Sequence, residues 1–119
     1  MLRGIRGAIT AQKNEKKEIL DATGELLEKI VRENQVDKKD IASIIFSMTP
    51  DLDAEFPAAA AREMGLKLTP LFCVSEIAKP GALSRCIRIL MHINTDKAPE
   101  HIKHIYLKGA KVLREEYQA

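Results

Sequence analysis

The chain has 119 residues, of which 45% are hydrophobic, 30% are charged and 4% are aromatic, and its formal net charge is +2. This length fits one domain, residues 1–119, with a core built mainly from aliphatic side chains. Nucleic-acid binding is not expected, because lysines and arginines alternate with acids instead of clustering beside aromatic residues. A membrane protein is not expected either, since the N-terminus MLRGIRGAIT lacks a signal-type apolar run and no segment approaches the length of a membrane span.

The hydrophobic pattern predicts five strands and two helices in the order β-α-β-α-β-β-β. The predicted strands are residues 2–9, 41–48, 68–75, 85–95 and 104–107, and the predicted helices are residues 14–34 and 57–65. Gly4 and Gly7 in the first strand suggest a close approach of another part of the backbone. Pro57 suits the first position of the short helix and Gly65 suits its exit. The order predicts an α/β (α+β) fold: a five-stranded mixed sheet with one long and one short helix.

One face of the predicted sheet carries polar side chains. In RCIRILMHINT, residues 85–95, alternation puts four aliphatic side chains on one face and Arg88 and His92 on the other. The second strand adds Ser43 and Ser47 to the polar face. Two helices cannot cover both faces of a five-stranded sheet, so the polar face is either hydrated or packed on another copy of the chain. The sequence therefore favours a homo-oligomer.

Several charged residues stand out by their neighbours. Arg6 lies in GIRGA, Arg88 lies in the middle of a strand, Arg62 follows an alanine run and Arg114 lies in KVLRE. A planar guanidinium matches the two oxygens of a carboxylate and stays charged when desolvated. Because neither strand carries an acid near its arginine, a bound anion is at least as expected as an internal ion pair. Glu76, directly after the third strand, is either a site carboxylate or a solvated loop residue.

The remaining chemistry-bearing residues indicate no metal or nucleophilic centre. Cys73 and Cys86 lie in apolar runs without CxxC spacing, as expected for reduced, buried thiols of a cytoplasmic protein. His101 and His104 lack metal-ligand spacing with cysteine and are expected at the polar surface. Tyr106 is either a hydrogen-bond donor or a rim residue. With no Gly-rich phosphate loop and no GxSxG motif, an enzyme of this sequence is expected to work by positioning and electrostatics, without a metal or cofactor.

Four segments, RGIRGAIT, TPDLDAEFPAAAARE, CIRILM and NTDKAPEHIKHIYLKGAKVLR, together resemble the monofunctional AroH-class chorismate mutases over nearly the whole chain. The resemblance implies the bacillus chorismate mutase-like fold and a homotrimer whose sheets pack into a pseudo-barrel, with active sites between adjacent subunits. It also implies the Claisen rearrangement of chorismate to prephenate, on the route to phenylalanine and tyrosine. That reaction is pericyclic and its substrate carries two carboxylates, which suits the arginines and the absence of acid–base machinery.

The same resemblance implies roles for individual residues. Arg88 would meet the negative charge that develops on the ether oxygen, Arg6 would bind a carboxylate of the ligand, and Glu76 would accept from the ring hydroxyl. The implied substrate-binding residues are Phe56, Ala58, Ala59, Arg62, Leu71, Phe72, Cys73, Tyr106, Leu113 and Arg114. Two positions depart from the family pattern: Ala59 stands where a charged residue is frequent, and Phe72 stands where a small polar residue is familiar.

Two other functions stay open at this point. A non-catalytic binding module for an anionic metabolite would use the same arginines and bind chorismate without forming prephenate. A RidA-like imine deaminase is also a small α/β trimer with a carboxylate-binding arginine, although the characteristic segments of that family are not found in this sequence.

Overall fold

The computed structural model describes residues 1–113, which form one five-stranded mixed sheet. The strands are β1 (Leu2–Thr10), β2 (Ile41–Met48), β3 (Leu71–Ser75), β4 (Cys86–Asn94) and β5 (Ile105–Leu107), and the helices are α1 (Lys16–Glu33) and α2 (Ala58–Glu63). The strand order is β3-β2-β4-β1-β5. Strand β4 is antiparallel to both of its neighbours, whereas β2–β3 and β1–β5 are parallel pairs. The predicted fold is confirmed.

Helix α1 covers one face of the sheet with its apolar side. Its buried side chains are Ile19, Ala22, Thr23, Leu26, Leu27 and Ile30. They share one core with the inward-facing residues of the strands, such as Ile5 and Ile9 of β1. Gly7 permits this packing, because a Cβ at that position would lie 2.7 Å from Ile30 Cδ1 and 3.1 Å from Leu26 Cδ1. The close approach predicted at Gly7 is therefore a contact between β1 and α1.

The third strand is shorter than predicted. It begins at Leu71, not at residue 68, and Leu68 is 98% exposed in the preceding loop. Pro70 has no N–H to donate to a strand ladder, so regular pairing starts after it. The Pro70 carbonyl still accepts the Ile44 N–H at 3.0 Å, which fixes the entry of the strand beside β2.

Two further details concern the start of β2 and the ends of α2. An unbroken alternation would put Ile41 on the polar face together with Ser43 and Ser47. Instead, a register shift between Ile41 and Ser43 turns Ile41 into the core and leaves Ala42 exposed. Such a bulge cannot be seen from a regular period of two. Helix α2 begins at Ala58, one residue later than predicted, and Pro57 precedes it with φ −63° and ψ −25°. Gly65 stands just beyond the helix with φ +93°, as predicted for its exit.

The second face of the sheet is not covered by α1 or α2, and we call it the open face. Its side chains are Arg6, Ala8, Ser43, Ile45, Ser47, Phe72, Val74, Arg88, Leu90, His92 and Tyr106. Phe72 is 64% exposed and Val74 is 41% exposed. Ala110 and Leu113 cover one end of this face by packing near Ala8. Within residues 1–113, neither helix combines the length and apolarity that crossing a membrane requires.

Candidate active site

A cleft of about 410 Å³ lies on the open face, over β1, β2, β4 and β5. Its lining residues are Arg6, Gly7, Ala8, Ile45, Ser47, Arg88, Ile89, Leu90 and Tyr106. This volume is in the usual range for small-molecule sites. Two of the lining residues are arginines and none is an acid, so the cleft favours an anionic ligand. Arg6, Arg88 and Tyr106 therefore lie on the same side of the sheet.

Arg88 is held in place by a carboxylate. Its Nε lies 3.0 Å from Oε1 and 3.1 Å from Oε2 of Glu76. The Ser47 hydroxyl donates to Glu76 Oε2 at 2.9 Å, and Ser47 is the cross-strand neighbour of Arg88 on β2. The Glu76 N–H donates to the Met48 carbonyl at 2.9 Å, which extends the β3 pairing by one residue. Glu76 therefore reaches from the end of β3, across β2, to the arginine on β4.

This ion pair gives Arg88 a partner within its own chain. A bound anion was expected for Arg88 at least as strongly as an internal partner, because no acid is close to it along β4. The structure supplies Glu76, 12 residues earlier in the chain. Because the carboxylate uses Nε, the two Nη groups of Arg88 keep their donors, and they find no oxygen acceptor among residues 1–113. The guanidinium is therefore oriented by the protein and still able to bind an anion.

Arg6 and Tyr106 form the other side of the cleft. Ala8 on β1 pairs with Arg88 across the antiparallel ladder and with Tyr106 across the parallel one. The small side chain of Ala8 lies between these two residues in the lining of the cleft. The backbone N–H of Arg6 donates to His104 Nδ1 at 2.9 Å. Burial, and then the charge of Arg6, lower the pKa of His104 from its usual value of 6.5.

The remaining predicted site residues are divided between other places. Phe56 lies 66% exposed in the loop before α2, where it lines a second cleft of about 510 Å³ together with Cys73. Ala58, Ala59 and Arg62 belong to α2, which packs on α1 and β3. We call Phe56 and these three residues of α2 the α2 group. Within one chain, none of them lines the first cleft, which we call the Arg88 cleft. The structure thus separates the predicted site residues into two groups.

Three more predicted site residues lie apart from both clefts. Leu71 packs partly buried against the main core, and Phe72 projects from the open face beyond the Arg88 cleft. Leu113 is buried at 5% exposure against Ala8, at the end of the open face. Arg114 lies outside the described residues.

Two side chains at the candidate site were not identified from the sequence. The alternation of β2 predicts Ser47 on the polar face without indicating a role, whereas the structure shows that its hydroxyl donates to Glu76. His104 was expected at the surface, but it is half-buried and binds the backbone of Arg6. The available signal was the position of His104 directly before strand β5. A side chain at that position can accept a hydrogen bond from the neighbouring strand before the backbone pairing begins at Ile105.

Comparisons with known proteins identify the family of this chain. Residues 2–117 match the family model described as chorismate mutase type I. The chain is 44% identical over 115 residues to the chorismate mutase AroH of Bacillus subtilis (96% of this chain, 91% of that protein). It is 41% identical over 120 residues to the chorismate mutase AroH of Thermus thermophilus (100% and 98%). Its fold matches a chorismate mutase from Clostridium thermocellum with a TM-score of 0.91 at 52% identity, over 92% of this chain and 98% of that one. The chain therefore belongs to the chorismate mutase type I family.

Proposed function

We propose that the chorismate mutase activity of this chain resides in the open-face cleft and depends on Arg88. The observation that carries the proposal is the fixed guanidinium: Glu76 binds its Nε at 3.0 and 3.1 Å, and its Nη groups remain for a ligand. A donor that is already oriented stabilises a transition-state charge without a reorganisation cost at the moment of reaction.

The chemistry of the reaction suits such a site. In the rearrangement of chorismate to prephenate, the ether C–O bond breaks and a C–C bond forms within one molecule, and no proton enters or leaves. Breakage of the C–O bond runs ahead, so negative charge grows on the ether oxygen. A permanently charged Arg88 stabilises that oxygen more strongly in the transition state than in the substrate, and only such a difference accelerates the reaction.

The other residues of the cleft would hold the substrate in its reactive conformation. Arg6 binds one carboxylate, and Tyr106 donates a hydrogen bond on the same side. Glu76 accepts from the ring hydroxyl with the acceptor capacity that Arg88 and Ser47 leave free, since a carboxylate offers about four lone-pair positions. Confinement of a flexible molecule with its reacting carbons close together supplies a large part of the rate enhancement.

We also propose that the chain acts as a homotrimer in which the α2 group of one subunit completes the cleft of the next. Two observations support this. The open face leaves Phe72 and Val74 exposed, and apolar side chains grouped in this way are typical of an interface. Phe56, Ala59 and Arg62 lie away from the Arg88 cleft of their own chain, so a second copy is needed to bring them to it.

The test of the catalytic proposal is chorismate turnover by the purified protein, with prephenate identified as the product. The variant Arg88→Gln is compared with Arg32→Gln, which removes the same charge from the exposed end of α1. We expect Arg88→Gln to lower kcat by about 10²–10³ and Arg32→Gln to leave it unchanged. Turnover by Arg88→Gln within about tenfold of the unmodified protein would contradict the proposal. Saturable chorismate binding without prephenate would instead indicate a binding module.

The trimer is tested separately by size-exclusion chromatography with multi-angle light scattering. Three copies of the 13.3 kDa chain have a mass of about 40 kDa. A monomer mass at the protein concentration of an active assay would exclude the shared cleft.

A further inference from the structure

We infer that His104 is a positioning residue for Arg6, acting through the backbone of β1. The inference rests on the proposed role of Arg6 in binding a substrate carboxylate. Its basis is one hydrogen bond, from the Arg6 backbone N–H to His104 Nδ1 at 2.9 Å, which joins residues 98 positions apart in the chain.

The imidazole takes the place of a strand carbonyl. The parallel pairing of β1 with β5 begins at Gly7 and Ile105, so no β5 backbone stands beside Arg6. On the opposite side, Arg6 is the ladder neighbour of Leu90 on β4. His104 therefore fixes the edge of β1 at the residue whose side chain lines the cleft. Without this acceptor, the backbone N–H of Arg6 would lack a hydrogen-bond partner in the sheet, and this part of β1 would be held less firmly.

This contact requires one protonation state of the ring. Nδ1 accepts a hydrogen bond only in the neutral imidazole that carries its proton on Nε2, because both nitrogens of the imidazolium are donors. Protonation would remove the acceptor and place a second positive charge beside Arg6. Burial and the charge of Arg6 lower the pKa of His104, which keeps the ring neutral at neutral pH.

Within residues 1–113, no carboxylate forms an ion pair with His104. The charged residues on the elements packed around His104 include Arg3 and Arg6 on β1, Glu25, Lys29, Arg32 and Glu33 on α1, and Lys103 and Lys108 beside β5. Of these, Arg6 is the one whose charge shifts the pKa of His104. Among residues 1–113, no Asp or Glu lies within ion-pair distance of the ring. Acidification therefore acts on this contact in one direction, toward its loss.

Three variants test the inference by steady-state kinetics with chorismate from about pH 5 to about pH 8.5. His104→Asn places an amide oxygen near the position of Nδ1 and cannot titrate. His104→Leu removes the acceptor at a similar size. His101→Leu, at an exposed histidine in the preceding turn, makes the same change away from the site.

We expect His104→Leu to raise KM by about tenfold with a smaller change in kcat, because the unpaired N–H affects the position of a substrate-binding arginine. His104→Asn should restore KM. The unmodified protein should show a rise in KM on acidification below its His104 pKa, and His104→Asn should lack this rise. His92 and Glu76 are unchanged in that variant, so any pH dependence that they cause persists in it.

The results separate this inference from the proposed function. A normal KM in Arg6→Gln would overturn the role of Arg6 itself. A raised KM in Arg6→Gln together with a normal KM in His104→Leu would overturn the positioning role alone, as would the same acid rise in His104→Asn and the unmodified protein. Should His104→Leu fail to fold, the ¹⁵N spectrum of the histidine rings in the unmodified protein decides: an Nδ1 that carries the proton at neutral pH refutes the inference.

Discussion

The ion pair between Glu76 and Arg88 allows a quantitative prediction for the variant Glu76→Gln. Glutamine has nearly the same shape, but it has one acceptor oxygen in place of two and no charge. It therefore keeps at most one of the two contacts that Arg88 Nε makes at 3.0 and 3.1 Å. Hydrogen bonds to charged groups contribute about 1.5–3 kcal/mol and neutral ones about 0.5–1.5 kcal/mol.

The magnitude follows from these values and from the exposure of the pair. Arg88 Nε carries a single N–H, which the two carboxylate oxygens share, so the charge-assisted hydrogen bond at stake contributes about 1.5–3 kcal/mol. The side chain of Arg88 is 36% exposed and that of Glu76 is 16% exposed, so water screens part of the interaction and the lower limit, about 1.5 kcal/mol, applies. At about 1.4 kcal/mol for each factor of ten, kcat should fall about tenfold if the orientation of Arg88 matters mainly in the transition state.

The assay is the initial rate of chorismate loss across a range of concentrations, which separates kcat from KM. Glu28→Gln is the matched control, because Glu28 is exposed on α1 and forms no ion pair within residues 1–113. A kcat for Glu76→Gln within about threefold of the unmodified value would refute the orientation argument. A loss confined to KM would assign Glu76 to substrate binding alone.

Three further predictions concern neighbouring contacts and the core. Ser47→Ala should lower kcat about fivefold, because the carboxylate that orients Arg88 loses its hydroxyl donor; Ser43→Ala, on the same strand, is the kinetic control. Gly7→Ala should lower the midpoint of urea unfolding, because the new Cβ would lie 2.7 Å from Ile30 of α1, at a cost of about 1–3 kcal/mol. Gly24→Ala is the control: a Cβ there meets nothing within 4 Å, so this variant should raise the midpoint. Burial alone would raise the pKa of Asp51. The hydrogen bonds that its carboxylate accepts from the Thr49 hydroxyl and from backbone N–H groups outweigh burial and lower the pKa below 3.8. The ionised carboxylate of Asp51 therefore stabilises the fold fully above pH 3.8, and this stabilisation is lost as the pH falls through the lowered pKa. Asp51→Asn should lower the free energy of unfolding at neutral pH, and its stability should depend less on pH in the acid range.

The sequence predicted the parts of the site that depend on local periodicity. Alternation along β4 placed Arg88 opposite the buried aliphatic residues, on the face where the structure also finds Arg6 and Tyr106. The partner of Arg88 could not be found in this way, because Glu76 meets it only when β2 lies between β3 and β4. Strand order is decided by packing of the whole sheet, and no local pattern encodes it.

The same limit explains the other differences. The bond between His104 and the backbone of Arg6 depends on where β5 begins beside β1, and the exposed or buried state of a histidine cannot be read from its neighbours in sequence. The inward turn of Ile41 follows from a bulge that interrupts a regular period. The position of α2 away from the Arg88 cleft follows from its packing on α1, a contact between helices 25 residues apart in sequence at their nearest ends.

The central place of β4 has a consequence for how the protein is made. Strand β1 finds its antiparallel partner in residues 86–94, and the pairing joins Leu2 to Asn94. During synthesis the N-terminal strand therefore stays unpaired until about four fifths of the chain has left the ribosome, while the β2–β3 pair is already available. Contacts this distant in sequence form slowly, because a long loop must close first. Tyr106 lies in β5, so a nascent chain that stops before β5 lacks one of the residues that line the open-face cleft.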